Sequence, residues 1–275
     1  MTGAHALRGD GLVLSHGGTE VVHGAALALE AGRVTALVGP NGSGKSTLLR
    51  SLARLHRVDA GQVTLGPGAT PASAFSARRF AREVTLFSQS RPVPEGLTVR
   101  EVVAFGRHPY RRGLAGPSAR DREAVERAMA ATGVGDMADR AAGELSGGEM
   151  QRVWLATCLA QDTGVVLLDE PTNHLDLRYQ VETLDLIRDL AQDHGAAVGV
   201  VLHDLDHAAR VADTLVLLDA GRVRAAGDPA EVLTEENLGE VYGIPVEVTR
   251  DPRTGRLRMD PVGRHPDRTR SAPRT

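Results

Sequence analysis

Gly39-Pro40-Asn41-Gly42-Ser43-Gly44-Lys45-Ser46-Thr47 decides how this chain is read. An apolar run, Val34-Thr35-Ala36-Leu37-Val38, precedes it, and Leu48-Leu49-Arg50-Ser51-Leu52 follows. That order is strand, glycine-rich turn, helix. Gly39, Gly44, Lys45 and Ser46 fit the spacing G-x-x-x-x-G-K-[ST]. Glycines let several backbone N–H groups converge on phosphate oxygens, and a helix that starts here turns its positive end toward the same anion. Lys45 can then reach the β- and γ-phosphates, and the Ser46 hydroxyl can ligate Mg²⁺. The plain alternative, a tight turn with a surface lysine, leaves one fact unexplained. Among 32 Lys and Arg residues, Lys45 is the single lysine. Arginine is a wide planar fork and lysine a narrow point charge, so a cramped phosphate cradle is a place where only lysine fits.

The bulk properties exclude several classes. At 275 residues the chain suits one large domain, with or without a subdomain. A net charge of -3 gives no global attraction to nucleic acid, and 3% aromatic residues make base-stacking platforms for it unexpected. Cys158 is the only cysteine, which rules out an internal disulfide and suits a reducing compartment. Met1–Asp10 lacks the apolar core of a signal peptide, and no apolar run has the length of a membrane span, so a cytoplasmic protein is expected unless partners hold it at a membrane.

Outward from the loop, residues 11–38 read as strands: Gly11–Leu14, Ala26–Leu29, then Arg33–Val38. The loop helix is expected to run to about Leu55, followed by strands at Gly61–Leu65 and Glu83–Ser88. From Thr98 the period becomes helical, with Thr98 and Glu101 spaced as a capping box and Val102, Val103 and Phe105 on an apolar side. A Gly/Pro-rich break spans Gly106–Pro117, and Ser118 can cap a further helix. The stretch 95–145 thus reads as an inserted helical subdomain. Alternation then resumes: helix 147–161, strand 164–169, helix 176–193 with Leu177, Val181, Leu184, Ile187 and Leu190 on one side, strand 196–202, helix 204–212, and strands 214–219 and 222–226. This implies a mainly parallel sheet covered by helices. A terminal hairpin around Asp251–Gly255 is expected, and 263–275, rich in Arg, Pro, Ser and Thr, reads as a disordered tail.

Two further stretches carry chemistry. Val165-Val166-Leu167-Leu168-Asp169-Glu170 is an apolar strand ending in two carboxylates. With a phosphate loop upstream, Asp169 suits the Mg²⁺ shell and Glu170 can polarise a water for in-line attack on the γ-phosphate. Leu145-Ser146-Gly147-Gly148-Glu149 offers a hydroxyl, two glycine amides and a helix start, a second phosphate reader. His203 and His207 stand at i, i+4, a spacing that also suits zinc. However, the glutamate of the zinc-protease motif is missing and His203 falls at a strand end. Cys158 and Trp154 read as packing residues.

The phosphate loop, Gln89 at a strand end, Leu145–Glu149, the acidic strand, Asn173-His174-Leu175-Asp176 and His203 together resemble the ATP-binding cassette (ABC) ATPase family. The resemblance extends over about residues 8–260, six motifs in order. It implies a single cassette domain over 8–262: an α/β P-loop NTPase fold with a mixed, largely parallel sheet core, an N-terminal antiparallel β part and a helical subdomain. It implies ATP and Mg²⁺ as ligands, with Gly39–Thr47 on the phosphates and Ser46, Gln89 and Asp169 around the metal. Glu170, Gln89 and His203 would be catalytic, with Gln89 also sensing the membrane partner. Two copies would pair head to tail, so that Ser146, Gly147, Gly148 and Glu149 of one face the γ-phosphate held by the other, with Asp176 at the interface. His16 stands where the family usually has an aromatic residue stacked on adenine, and offers less area than tyrosine. Phe105–Tyr110, His174–Gln180, His203–Arg210, Tyr242–Pro245 and Asp251–Gly255 look like ATPase subunits of bacterial iron–siderophore, haem and cobalamin importers. That likeness implies separate permease subunits, an indirect substrate-binding protein, no nucleic acid, and a peripheral place on the cytoplasmic face of the cell membrane. A soluble cassette ATPase acting on DNA or ribosomes, and an exporter subunit, are the other classes to weigh.

Overall fold

A computed structural model describes residues 5–88, 95–111 and 116–264. The chain opens with two long antiparallel strands, β1 (His5–His16) and β2 (Thr19–Glu30). β3 (Val34–Val38) runs through the glycine loop into α1 (Lys45–Leu52). β4 (Ala60–Leu65), β5 (Thr70–Pro71), α2 (Ala77–Phe80) and β6 (Val84–Phe87) follow. Next come α3 (Val99–Val103), α4 (Ala119–Ala131) and α5 (Gly147–Ala160). β7 (Val165–Asp169), α6 (Leu177–Gln192), β8 (Ala197–Val201), α7 (Leu205–Val211), β9 (Thr214–Asp219) and β10 (Arg222–Gly227) complete the core. α8 (Pro229–Val232), α9 (Glu235–Tyr242) and the hairpin β11 (Val246–Arg250) and β12 (Leu257–Pro261) end it.

The central sheet has the order β10-β9-β3-β8-β7-β6, parallel except for β10. Every residue of β3, β7 and β8 is buried, as expected for parallel strands covered on both faces. One apolar cluster joins this sheet to α6, α7, α8 and α9, and another joins it to α1 and the antiparallel sheet β2-β1-β4-β5. The strands β3, β8, β7 and β6 are consecutive in the sheet and parallel. Their carboxyl ends therefore lie side by side, where ligands of open α/β sheets bind.

A third cluster packs Val99, Val102, Val103, Val125 and Met129 against Val153 and Ala156 of α5. Thr98, Ser118 and Ser146 each close a capping box, with Glu101, Asp121 and Glu149.

Several expectations need correction. β1 and β2 far outrun Gly11–Leu14 and Ala26–Leu29, because the strand pair passes through register shifts near Gly11 instead of stopping there. α1 ends at Leu52, not near Leu55: Arg54 takes a left-handed φ of 59° that leaves the helix. Leu177 is 75% exposed and off the apolar stripe, which Leu184, Ile187 and Leu190 form. Phe105 is also exposed, and the supposed break at Gly106 begins instead inside a 3₁₀ turn, Ala104–Tyr110. Residues 112–115 of that break lie outside the described residues, as does the tail from 265 onward.

Arg107 organises the 3₁₀ turn. It is 2% exposed, its Nε donates to Asp121 Oδ1 at 2.8 Å, and Nη1 donates to Ala160 O at 2.7 Å. Burial alone would raise the Asp121 pKa, but bonds from Ser118 and Arg107 outweigh it and bring the carboxyl to about 2. Removing one partner of a buried pair strands the other charge. Arg107→Met should therefore cost about 3–5 kcal/mol in denaturant unfolding, whereas a loss under about 1 kcal/mol would mean that the pair is not structural.

Candidate nucleotide-binding site

The glycine loop takes its shape from crowding. Gly39 has φ +142°, and a Cβ there would lie 2.0 Å from Leu218 O; Gly44 has φ +97°, with Val22 Cγ2 2.9 Å from its would-be Cβ. Neither position admits a larger residue. Gly44 is also the N-cap of α1 and supplies no side-chain bond, so amides of the first turn await another acceptor. Ser43 Oγ is buried and has no hydrogen-bond partner among the described residues. An orphaned hydroxyl beside uncapped amides fits a phosphate.

Lys45 is 4% exposed, and its Nζ donates to Gly39 O and Pro40 O at 2.8 Å each. Burial pushes the ammonium pKa down, and the charges of Glu170 and Asp169 oppose that shift. Asp169, at the end of β7, is 3% exposed with both oxygens engaged: Ser46 Oγ donates to Oδ1 at 2.7 Å and Arg50 Nη2 to Oδ2 at 3.1 Å. Glu170 follows with φ +56°, an uncommon conformation for a side-chain-bearing residue and one that collects at functional sites. Its Oε1 lies 2.5 Å from His203 Nε2, and its Oε2 accepts from Asn173 Nδ2 at 2.5 Å.

Lys45, Ser46, Glu170 and His203 share one cleft of about 400 Å³, lined also by His16, Val21, Asn41, Gly42, Gly44, Thr47, Arg50, Leu55 and His56; Asp169 and Asn173 join it through their bonds to Ser46 and Glu170. Three distant segments thus converge on the phosphate loop. His203 lies beyond β8 and before α7, which Asp204 caps, so no helical face pairs it with His207. Among the described residues no group of three or more His, Cys, Asp or Glu side chains forms a metal cage. A hydroxyl and a buried carboxylate do suit Mg²⁺, which draws its remaining ligands from phosphates and water. Ser46 and Asp169 would hold that ion. Gln89 lies outside the described residues.

Ser146, Gly147, Gly148, Glu149 and Asp176 do not line this cleft. Glu149 Oε2 accepts from Ser146 N at 2.8 Å, and that bond with the Ser146 hydroxyl holds the Glu149 carboxyl below its ordinary pKa. Asp176 caps α6 by accepting from Tyr179 N at 3.0 Å. Cys158 is buried, and Trp154 packs against two apolar clusters.

Sequence reasoning misses four contributors. Arg50 had a signal, since it stands four residues, about one helical turn, after Ser46. Asn173 sits within a recognised motif yet carries no assigned role. His56 had none, and Tyr242 stood in an importer-like stretch without an assigned role: both arrive through tertiary contacts, and the Gly39 backbone bonds the Tyr242 phenol.

A protein-family model described as ABC transporter matches residues 22–173. A probable siderophore transport system ATP-binding protein of Bacillus subtilis is 42% identical over 95% of this chain and 94% of its own. A hemin import ATP-binding protein of Rhodococcus jostii is 44% identical over 92% of this chain and 85% of its own. A solved metal-chelate-type ABC transporter chain in an inward-facing conformation superposes with a TM-score of 0.81 at 25% identity, over 94% of this chain and 98% of that one.

The Arg50–Asp169 pair generates a prediction. A cation that neutralises Asp169 competes with this guanidinium, which is itself nearly half exposed. Arg50→Met should lower the Mg²⁺ concentration needed for half-maximal nucleotide binding by up to about five-fold, in keeping with the ~1 kcal/mol of such a pair. A higher requirement in the variant would show that Arg50 assists the ion instead.

Proposed function

The chain belongs to the ABC transporter family, and from that premise we propose that it is the ATP-hydrolysing subunit that powers import of a ferric siderophore through a separate membrane permease. The observation that carries the chemistry is the convergence of Lys45, Ser46–Asp169 and the Glu170–His203 pair on one cleft. The cargo rests on the siderophore relative. Haemin is the second reading, favoured by the hemin import relative. No helix among the described residues is long and apolar enough to cross a membrane, and on this reading the permease is a separate chain. A peripheral position on the cytoplasmic face of the membrane follows from that reading, as does an indirect tie to a substrate-binding protein. We read 8–262 as one cassette unit with 95–145 as its helical subdomain.

Lys45 and the amides of Gly42–Thr47 bind the phosphates. Ser46 and Asp169, with Gln89, would hold Mg²⁺, which would supply neutralisation of phosphate charge. Glu170 orients and polarises the attacking water, Asn173 and His203 fix its carboxylate, and His203 reaches the γ-phosphate when nucleotide is present. Ser146, Gly147, Gly148 and Glu149 act on the nucleotide of a second copy, with Asp176 at that interface. Closure of two copies around ATP then draws on the permease, and hydrolysis reopens the pair.

Glu170→Gln keeps the shape and removes the base. It should bind ATP normally while turnover falls by at least about a hundred-fold. Cells with only this variant should lose uptake of radiolabelled ferric siderophore. Intact siderophore uptake together with lost haemin uptake would reassign the cargo, and full ATPase activity would remove Glu170 from its role.

A further inference from the structure

The cleft that contains Lys45, Ser46, Glu170 and His203 is also lined by His16, Val21, Leu55 and His56, side chains with no phosphate chemistry in this arrangement. The chain delivers the last two by leaving α1 abruptly. Arg54 adopts φ +59°, and its guanidinium Nη1 donates to Ala72 O at 3.0 Å and Phe75 O at 2.9 Å, which anchors the turn. Leu55 is consequently 70% exposed on the cleft wall instead of packed on a helix. His56 is fixed differently: its Nε2 lies 2.9 Å from Ser15 O, beside the end of β1. Its ring lies within 19° of parallel to that of His16, with centroids 6.4 Å apart. That separation is at the outer limit for two rings in contact, so each ring keeps area to offer a third.

We propose that Leu55 and His56, together with His16, form a base-binding slot, so that the nucleobase is held by two rings and a leucine and not by His16 alone. The inference rests on the reading of this cleft as the ATP site. An imidazole gives less stacking area than the tyrosine that could stand at position 16, and a second ring with an exposed aliphatic side chain restores apolar contact to a planar heterocycle. A lone exposed leucine needs no explanation; one placed beside two near-parallel rings in a nucleotide cleft has a ligand-sized one. His56 is here a specificity-determining residue for the base and has no part in the phosphate chemistry.

The test compares ATP with inorganic triphosphate, which lacks a base, by equilibrium titration of the full-length wild type and of His56→Ala, His56→Phe and Leu55→Ala. His56→Ala should weaken ATP binding about ten-fold, as loss of one stacking side chain does, and leave triphosphate affinity unchanged. Leu55→Ala should weaken ATP alone by a smaller factor. His56→Phe, which keeps a ring and loses the bond to Ser15, should bind ATP within about two-fold of wild type. Unchanged ATP affinity in His56→Ala, equal losses for ATP and triphosphate, or a His56→Phe protein as weak as His56→Ala would each overturn the slot. A wild-type protein that binds triphosphate but not ATP would overturn the reading of the cleft itself, and the slot with it.

Discussion

An ammonium group buried at the bottom of a glycine loop is the constraint on which the rest depends. Among the described residues, Lys45 bonds two backbone carbonyls, and the opposing charges that act on it belong to Glu170 and Asp169. Burying a cation this deeply is unfavourable unless anions surround it. The fold meets that demand by bringing the ends of β3 and β7 to one edge of the sheet, so that two carboxylates and a buried ammonium share a site shaped for phosphate. Ser46 and Arg50 bind the Asp169 oxygens, and Asn173 and His203 bind those of Glu170, so the negative charges are held in place before any ligand arrives. Such preorganisation is what a charge-transferring site requires.

The central chemistry was legible in the sequence because it is written in short contiguous motifs. A phosphate loop needs glycines where a Cβ would collide, as at Gly39 and Gly44, and those residues stand in a fixed spacing around the one lysine. The fully apolar runs of β3, β7 and β8 announced a covered parallel sheet for the same local reason. What escaped reading depends on tertiary contact. Gly11 looks like a strand boundary, yet the strand continues through a bulge because its neighbour pairs on both sides of it. Phe105 and Leu177 fit apolar stripes by spacing but face solvent, while Arg107, two residues after Phe105, is buried on the strength of its bonds to Asp121 and Ala160 O. His56 reaches the cleft, and Tyr242 the Gly39 backbone behind it, from segments whose local pattern says nothing about phosphate or base.

The arrangement also divides the molecule's chemistry in two. Lys45, Asp169, Glu170 and His203 converge within the chain, whereas Ser146–Glu149 form a well-capped helix start that points to no ligand in their own chain's cleft. The amides at the start of α1 and the start of α5 are both anion-attracting helix ends. A second copy, related head to tail, would bring them together around one nucleotide. On this account ATP acts as the adhesive between two copies, and its hydrolysis is the release.

The most direct test of that central claim mixes two disabled chains, each carrying Glu170→Gln to prevent turnover. One also bears Lys45→Ala and the other Ser146→Arg. Size-exclusion chromatography with light scattering then follows their mass with and without Mg-ATP. A nucleotide site shared between copies predicts that neither chain dimerises alone, while the mixture does, because one complete site remains in the mixed pair. A mixture that stays monomeric under conditions where the Glu170→Gln parent dimerises, or a Ser146→Arg chain that dimerises unaided, would contradict it.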